Sequence, residues 1–279
     1  MHTYYSTRHA IHPNNSMTYN TAKLREAYLL DTLFHKDTIQ LTYTLYDRYI
    51  VGGAHPVEKS LALETIPTLR AEHFLDRREM GIINVGAESK VSVDGKDFVL
   101  ATKEALYVGK GVKEVIFHPA KSGDTHFYFN SAPAHQAYPT TKVTLDKAET
   151  VELGAPENSN HRILRKMLVS PIIQTCQLQM GITELQTGSV WNTMPAHTHD
   201  RRMEAYFYFN LPEDQAVCHF MGEAKETRHI FVHNKQAVVS PPWSIHSGAG
   251  TSNYSFIWGM AGENLDYGDM DKISPTELK

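Results

Sequence analysis

Hydrophobic and polar residues alternate along much of the first half of the chain. Residues 39–46 (IQLTYTLY) alternate with a period of two, which predicts a strand with one buried face. Asp94 and Gly95 predict a hairpin turn, and Gly52 with Gly53 predicts a turn after another short run. Short strands with regular turns predict an all-β fold, either a sandwich or a barrel. Further runs of this kind occupy residues 80–85, 90–93, 105–108, 114–117 and 125–129.

One stretch near the N-terminus has a helical pattern instead. Residues 21–34 begin with Thr21, which can cap a helix, and continue with helix-favouring residues. Their apolar positions recur at helical spacing, namely Leu24, Ala27, Leu30 and Phe34. We therefore expect one N-terminal helix and few others.

Three histidines and a glutamate form a candidate metal site. His197 and His199 are two residues apart, so in a strand both rings lie on one face. Glu204 opens the strand-like run EAYFYF, so we expect it on the next segment, folded back beside the histidines. His246 follows a strand-like run and a proline-rich turn. Because the chain carries 16 histidines, a chance surface pair is the alternative.

A faint internal repeat predicts two copies of one β domain. Residues 75–80 resemble residues 199–204, and residues 104–109 resemble residues 236–241. In the first copy only His73, opposite His197, keeps the same residue as the corresponding ligand. The other three positions are replaced, with Leu75, Met80 and Glu114 in place of His199, Glu204 and His246. We expect the metal in the second copy, with the first serving structure or assembly.

The polar residues 146–162 are interpreted as a linker between these copies. The expected domains are therefore residues 1–150, with an N-terminal arm, the helix and the first barrel, and residues 151–279, with the metal-binding barrel. A length of 279 residues allows two domains that each bury a core.

Composition excludes several classes of partner. Hydrophobic residues make up 41% and charged residues 21% of the chain, as in ordinary globular proteins. The net charge of -4, without a basic stripe, argues against nucleic-acid binding. Cys176 and Cys218 form no CxxC pair, which favours a reducing compartment. No apolar run approaches the roughly 20 residues that span a bilayer, and no signal sequence is recognised. We expect a cytoplasmic protein with no membrane partner.

The metal constellation resembles the two-part motif of the cupin superfamily, although residues 210–212 and 241–243 depart from its usual turns. A more specific resemblance, to the 5-keto-4-deoxyuronate isomerases, covers nearly the whole chain. The strings that carry it are IVGG at 50–53, ALYVGKG at 105–111, WNTMP at 191–195, RRME at 201–204 and WSIHSG at 243–248.

The resemblance implies two tandem cupin-like (jelly-roll) β-barrels assembled as a homo-hexamer. It also implies one Zn²⁺ per subunit, bound by His197, His199, Glu204 and His246. From the donor types alone, Fe²⁺, Mn²⁺ and Ni²⁺ are equally suitable.

The implied activity is an aldose–ketose isomerisation in bacterial pectin and uronate catabolism. The implied substrate is 5-dehydro-4-deoxy-D-glucuronate (4-deoxy-L-threo-5-hexosulose uronate), and the implied product is 3-deoxy-D-glycero-2,5-hexodiulosonate. We expect the metal to polarise the carbonyl as a Lewis acid while a base moves a proton between the two carbons. A metal-assisted hydride shift is the alternative.

The residues predicted to take part in catalysis are Glu184, Tyr206 and Arg202. Glu184, one strand before the metal site, is the candidate acid/base, with an exposed strand glutamate as the alternative. Tyr206 and Tyr208 share the face of Glu204 and are expected to line the pocket, unless they are core aromatics. Arg202 is the candidate for the substrate carboxylate, because arginine favours bidentate carboxylate binding. Other cations close to the motif are Arg201, Arg162, Arg165 and Lys166. For each of these cations, Arg202 included, a surface position or a subunit contact is the alternative.

The remaining features are interpreted as structural, and two other functions stay open. The tail from Leu265 is interpreted as a surface extension. The histidines expected at surface or edge positions are His118, His126, His135, His219, His229 and His233. A metal-dependent dioxygenase and a non-enzymatic sugar-binding or storage cupin are the alternative functions.

Overall fold

The chain is almost entirely β-sheet, and the computed structural model describes residues 2–279. The helices are α1 (Pro13–Ser16) and α2 (Thr21–Tyr28), and single 3-10 turns are Pro67–Leu69, Pro156–Asn158 and Pro275–Glu277. The first strands are β1 (Thr3–Arg8), β2 (Leu29–Leu30), β3 (Ile39–Thr44), β4 (Ile50–Ala54), β5 (Leu61–Ala62), β6 (Arg78–Asn84), β7 (Ser89–Val93), β8 (Lys96–Leu100), β9 (Ala105–Val108), β10 (Val115–Phe117), β11 (Phe127–Pro133) and β12 (Thr141–Val143). The later strands are β13 (Glu149–Leu153), β14 (Arg162–Leu168), β15 (Gln179–Leu185), β16 (Trp191–Asn192), β17 (His197–Thr198), β18 (Arg202–Phe209), β19 (Val217–Glu223), β20 (Glu226–Val232), β21 (Gln236–Ser240), β22 (Ser247–Gly250), β23 (Ser255–Gly262) and β24 (Asp271–Lys272). Neither helix within residues 2–279 has the length and apolar character needed to cross a membrane.

The predicted N-terminal helix starts where expected but is shorter. Asn20, rather than Thr21, caps it, because the Asn20 side-chain oxygen accepts a backbone N–H of the first turn at 3.0 Å. The helix ends at Tyr28, since Leu29 is extended (φ -84°, ψ 134°) and pairs with Val238 as part of strand β2. The apolar periodicity beyond Tyr28 therefore reflects a buried edge strand. Periodicity alone does not separate short buried strands from helices.

The first compact unit contains the chain up to Thr7 together with Thr32–Glu149 and Met167–Met180. Its larger sheet has the order β1-β3-β4-β11-β6-β9-β12, and its smaller sheet the order β5-β10-β7-β8. One hydrophobic core joins the two sheets, with Phe129 from the larger sheet and Phe117 from the smaller stacked at 5.5 Å. Burial of both inner faces is what the alternating pattern predicts.

One of the two predicted turns is confirmed and the other is wrong. Asp94 and Gly95 have φ values of 45° and 78° and connect β7 to β8, as a two-residue hairpin turn requires. Gly52 and Gly53 lie inside β4 instead. A Cβ on Gly52 would come within 2.3 Å of the Phe129 ring, so the glycine permits close packing within the strand.

The second compact unit contains Arg8–Asp31, Thr150–Lys166 and Gly181–Lys279. Its larger sheet has the order β13-β14-β15-β23-β18-β21-β2, and its smaller sheet the order β16-β22-β19-β20. The central strand β18 is buried along its whole length between β21 and β23. This strand delivers the predicted ligand Glu204 into the interior of the unit.

The two units repeat one strand arrangement, which supports the predicted internal repeat. In the first unit β6 lies between β11 and β9, and in the second β18 lies between β23 and β21. Met80 on β6 faces Val108 on β9, and Glu204 on β18 faces Ser240 on β21. The all-β fold with two tandem cupin-like units is thus confirmed. The expected closed barrels are not confirmed, because the strand ladders of residues 2–279 form separate sheets with free edges.

The compact units differ from a simple division at residue 150. Helix α2 groups with the second unit, and Met167–Met180 groups with the first. The interpretation of residues 146–162 as a linker is wrong for part of that stretch, since it contains β13 and a 3-10 turn. Strand β13 is the edge strand of the second large sheet. Its polar residues reflect an edge position that is only half-buried.

Candidate metal centre

Short elements of the second unit bring the four predicted ligands together. His197 lies on β17, and His199 follows two residues later, before the turn into β18. Glu204 lies on β18, and His246 immediately precedes β22. All four side chains are buried, and their ligand atoms lie within 4.8 Å of one another. We refer to these four residues as the His/Glu cluster.

The donor atoms of the His/Glu cluster form a compact group. His197 Nε2 lies 3.0 Å from both His199 Nε2 and His246 Nε2. Glu204 Oε2 lies 3.1 Å from His199 Nε2 and 2.9 Å from His246 Nε2. Zinc ligands at about 2.0–2.1 Å in a tetrahedron lie roughly 3.3 Å apart. The observed spacing is slightly tighter, so a small outward movement of the side chains would fit such an ion.

Hydrogen bonds behind the rings set which nitrogen faces the centre. The His199 Nδ1–H donates to the Asp269 carbonyl at 2.8 Å, which leaves its Nε2 lone pair pointing inward. His246 Nδ1 lies 3.2 Å from Ser240 Oγ, which can accept its proton in the same way. Inward-facing lone pairs repel one another unless a cation lies between them. The arrangement therefore fits a bound metal ion.

The electrostatics of the cluster favour the protonation states that bind metals. Burial, together with the neighbouring His246 and His199, lowers the pKa of His197 to about 2, so this ring is neutral. Burial alone would raise the pKa of Glu204, but His246 and His199 outweigh burial and hold it well below its usual range. A neutral imidazole at His197 and an ionised carboxylate at Glu204 are forms that coordinate a cation.

A cavity of about 460 Å³ lies beside the cluster. His197, His199 and Glu204 form part of its wall. Cationic and aromatic side chains share the lining, namely Arg162, Lys166, Lys272, Tyr206, Phe256, Trp258 and Tyr267. Its volume is within the range that encloses a small molecule.

Of the three predicted catalytic residues, the structure brings only Tyr206 into this cavity. Its hydroxyl lies 3.0 Å from Thr193 Oγ1, and its ring centroid lies 5.2 Å from that of His246. Burial raises the pKa of Tyr206 well above its usual value, so the phenol is a neutral donor. Tyr208 lies deeper, with its hydroxyl 2.7 Å from His219 Nδ1.

Glu184 and Arg202 lie outside the cavity lining. Glu184 accepts a hydrogen bond from Arg165 Nε at 3.0 Å, and the neighbouring Thr183 lines the cavity instead. Because adjacent strand residues point to opposite faces, Glu184 points away from the cavity. Arg202 is fully buried behind His199, where its Nη2 donates to the Asp269 carbonyl at 2.8 Å. Arg202 is therefore placed to orient a ligand rather than to contact a substrate.

The interpretation of the tail from Leu265 as a surface extension is wrong for residues 267–272, which reach the site, whereas much of the tail is exposed. Tyr267, Met270 and Lys272 line the cavity, and the Asp269 carbonyl fixes His199. The Asp269 side chain accepts a hydrogen bond from Arg201 Nε at 3.0 Å. Leu265, Tyr267, Met270 and Ile273 are irregularly spaced among acidic residues, so the sequence offers no regular apolar pattern here. Their charge complementarity to Arg201 is the one signal in the sequence.

Two of the six histidines expected at the surface are buried. His219 is fully buried, and burial lowers its pKa to about 3, so it remains neutral. His126 is buried as well, stacked 4.2 Å from His55, and both rings contact Asp124. The ligand atoms of His55, Asp124 and His126 lie within 4.8 Å of one another, so these residues form a second group that could hold a cation.

Comparison with known proteins gives close relatives over the whole chain. A protein of Formosa agariphila named 4-deoxy-L-threo-5-hexosulose-uronate ketol-isomerase is 59% identical over 280 residues, covering 100% of both chains. Proteins with the same name from Bacteroides fragilis and Yersinia enterocolitica are 54% and 50% identical, and they cover 100% and 97% of this chain and 100% and 98% of their own.

Solved structures support the fold alone, because their sequence identities are low. An IolB-like protein from Salmonella typhimurium has a TM-score of 0.68 at 16% identity and covers 81% of this chain and 87% of its own. Bacillus subtilis oxalate decarboxylase has a TM-score of 0.54 at 8% identity and covers 80% of this chain and 71% of its own.

The family model described as KduI/IolB family matches residues 39–273, which include all four residues of the His/Glu cluster. Together with full-length relatives at 50–59% identity, this match means that the chain belongs to the KduI/IolB family.

Proposed function

We propose that this protein is a metal-dependent ketol-isomerase that converts 4-deoxy-L-threo-5-hexosulose uronate to 3-deoxy-D-glycero-2,5-hexodiulosonate in pectin breakdown. The observation that carries the proposal is the buried His/Glu cluster in the wall of a cavity of about 460 Å³. A cavity of this size accommodates a six-carbon sugar acid. Relatives that carry the corresponding name are 50–59% identical.

The proposed cofactor is zinc, with one ion per subunit. Three imidazoles and one carboxylate are suitable donors for zinc and also for iron, manganese or nickel. The choice of zinc therefore depends on the family resemblance.

A homo-hexamer is also proposed from the family resemblance. A cytoplasmic location is proposed because Cys176 and Cys218 are free thiols. A domain boundary near residue 150 is proposed as well. It is supported by the sheet order, because β12 belongs to the first large sheet and β13 to the second.

In this proposal the side chains have separate tasks. A zinc ion held by the His/Glu cluster would supply Lewis-acid polarisation of the substrate oxygens. Tyr206 donates a hydrogen bond from its hydroxyl to a substrate oxygen, and Thr193 orients that hydroxyl at 3.0 Å. Arg202 and the Asp269 carbonyl keep His199 in place. The walls formed by Trp258 and Tyr267 shield the reacting carbons from water.

Metal removal tests the proposed function directly. We expect the purified protein to isomerise 4-deoxy-L-threo-5-hexosulose uronate in a coupled assay, to lose turnover after dialysis against a chelator, and to regain it with added zinc. The metal bound to protein purified without supplementation is measured at the same time. Stoichiometric iron with oxygen uptake would favour a dioxygenase, and binding of the uronate without conversion would favour a storage protein.

Replacing Tyr206 with phenylalanine tests the task of the hydroxyl. We expect kcat to fall by about 10- to 100-fold, because the change deletes one hydrogen bond that strengthens during the reaction. KM and metal content are expected to stay near the wild-type values, since the ring remains in place. The matched control is Tyr138→Phe, a tyrosine of the first unit that lies outside the cavity lining. Equal kcat values for both variants and the wild type would contradict the proposed task.

A further inference from the structure

We propose that Arg162, assisted by Lys166, forms the subsite that binds the carboxylate of an anionic sugar substrate. This inference rests on the proposed function and deepens it. It assigns the acid end of the substrate to residues on one strand that lines the cavity. It also predicts that the cavity selects sugar acids over neutral sugars of the same shape.

Arg162 is a half-buried cation without an anionic partner in the described part of the chain. Its Nη1 donates to the Asn160 carbonyl at 2.8 Å, and within residues 2–279 no carboxylate pairs with it. Burial lowers the pKa of Arg162, and the groups that oppose this effect are three tyrosine hydroxyls rather than acids. Desolvating a guanidinium without a counter-charge costs free energy unless another anion binds there. An anionic ligand in the cavity would supply that charge.

The other arginines near the site already have partners. Arg165 pairs with Glu184 at 3.0 Å, and Arg201 pairs with Asp269 and Asp271. Arg202 donates to the backbone carbonyls of the tail and is fully buried. Of the arginines that the sequence offers for a substrate carboxylate, Arg162 alone lines the cavity.

The geometry of β14 places the cations on one face. Arg162, Leu164 and Lys166 alternate along the strand, and all three line the cavity, whereas Arg165 points to the other face. Lys166 Nζ lies 4.5 Å from the centre of the Tyr267 ring, which also lines the cavity. A guanidinium and an ammonium on one strand face suit a carboxylate, with bidentate contact from the arginine.

The His/Glu cluster and Arg162 are placed to bind the two ends of one short substrate. Tyr206 contacts the cluster residue His246, and it lines the same cavity as Arg162. One tyrosine therefore borders both the metal ligands and the proposed anion subsite. A substrate with its reacting carbonyl at the cluster and its carboxylate at Arg162 would extend past this ring. The one carboxylate in the lining, Glu204, is held by His199 and His246.

Charge-matched probes test the subsite separately from catalysis. Zinc-loaded wild type, Arg162→Gln, Arg162→Lys and Arg165→Gln are compared by calorimetry with D-galacturonate and with its uncharged methyl ester. We expect wild type to prefer the acid by about 10- to 100-fold, a typical contribution of a charge-assisted hydrogen bond. The preference should disappear in Arg162→Gln, return partly in Arg162→Lys and persist in Arg165→Gln. Metal content of all four proteins is measured to establish that the cluster is intact.

Turnover measurements separate this inference from the proposed function. With 4-deoxy-L-threo-5-hexosulose uronate, Arg162→Gln should raise KM about 10- to 100-fold with a smaller change in kcat, because the lost contact is mainly a binding contact. If wild type does not convert this substrate, the proposed function is wrong, and the acid-to-ester comparison still tests the subsite. If Arg162→Gln keeps the preference for the acid, or wild type shows none, the subsite is wrong even where turnover is normal.

Discussion

Replacing His199 with alanine, or Glu204 with glutamine, is expected to abolish isomerase turnover and to release the metal. Each change removes one of four donor atoms that lie about 3 Å apart in the buried cluster. Losing several kcal/mol of Lewis-acid stabilisation corresponds to about a thousandfold loss of rate. The measurements are the metal content after gel filtration and kcat/KM in a coupled assay.

His229→Ala is the matched control for these variants. His229 lies exposed on β20 of the same unit and outside the cavity lining, so its replacement should change neither metal content nor rate. The two cluster variants should keep the circular dichroism of the wild type, because β17 and β18 retain their strand pairing. Normal turnover in His199→Ala, with the fold intact, would remove the His/Glu cluster from the reaction.

Replacing Glu79 with glutamine is expected to give the largest loss of stability in the first unit. Glu79 is fully buried, and its Oε1 accepts the N–H groups of Gln177 and Leu178 at 2.8 and 2.9 Å. Its Oε2 accepts the Tyr107 hydroxyl at 2.7 Å and the Cys176 N–H at 2.8 Å. Four donors thus converge on one carboxylate. A glutamine would direct its NH₂ group at two of these four donors, and it would remove the negative charge of the carboxylate.

The expected cost of Glu79→Gln is about 3 kcal/mol, because hydrogen bonds to a charged acceptor contribute roughly 1.5–3 kcal/mol each and an unsatisfied buried donor costs more. The midpoint of the first urea unfolding transition measures this cost. Glu88→Gln is the control, since Glu88 is exposed on the loop between β6 and β7 and should leave the midpoint unchanged. A shift of the Glu79→Gln midpoint no larger than that of the control would mean that the carboxylate does not stabilise the unit.

Several features of this protein follow from local spacing in the sequence. His197 and His199 share a face because alternate residues of an extended chain do so, and Glu204 and Tyr206 share a cavity wall for the same reason. The Asp94 turn is likewise determined locally, because only a few residue types adopt positive φ angles readily. The order of strands around Met80 and Glu204 is repeated, as the sequence echo predicts. Each of these features depends on residues that are close along the chain or on strands that pair directly.

Other features depend on contacts between residues that are distant in the chain. The sequence offers five cations near the motif, and only tertiary packing shows that Arg165 and Arg201 have carboxylate partners while Arg162 has none among the described residues. Glu184 was predicted to act in catalysis, but it lies on the opposite face of β15 from the cavity, with Arg165.

The sequence by itself therefore determined the all-β fold, the repeat and the identity of the four cluster residues. The tertiary structure alone decided that the tail returns to the site, where the Asp269 carbonyl fixes His199 across 70 residues of chain. It also decided that Gly52 packs against Phe129 rather than forming a turn. The physical reason is that periodicity and residue type report only the local environment. Long-range pairing depends on which side chains the folded sheets bring within hydrogen-bonding distance.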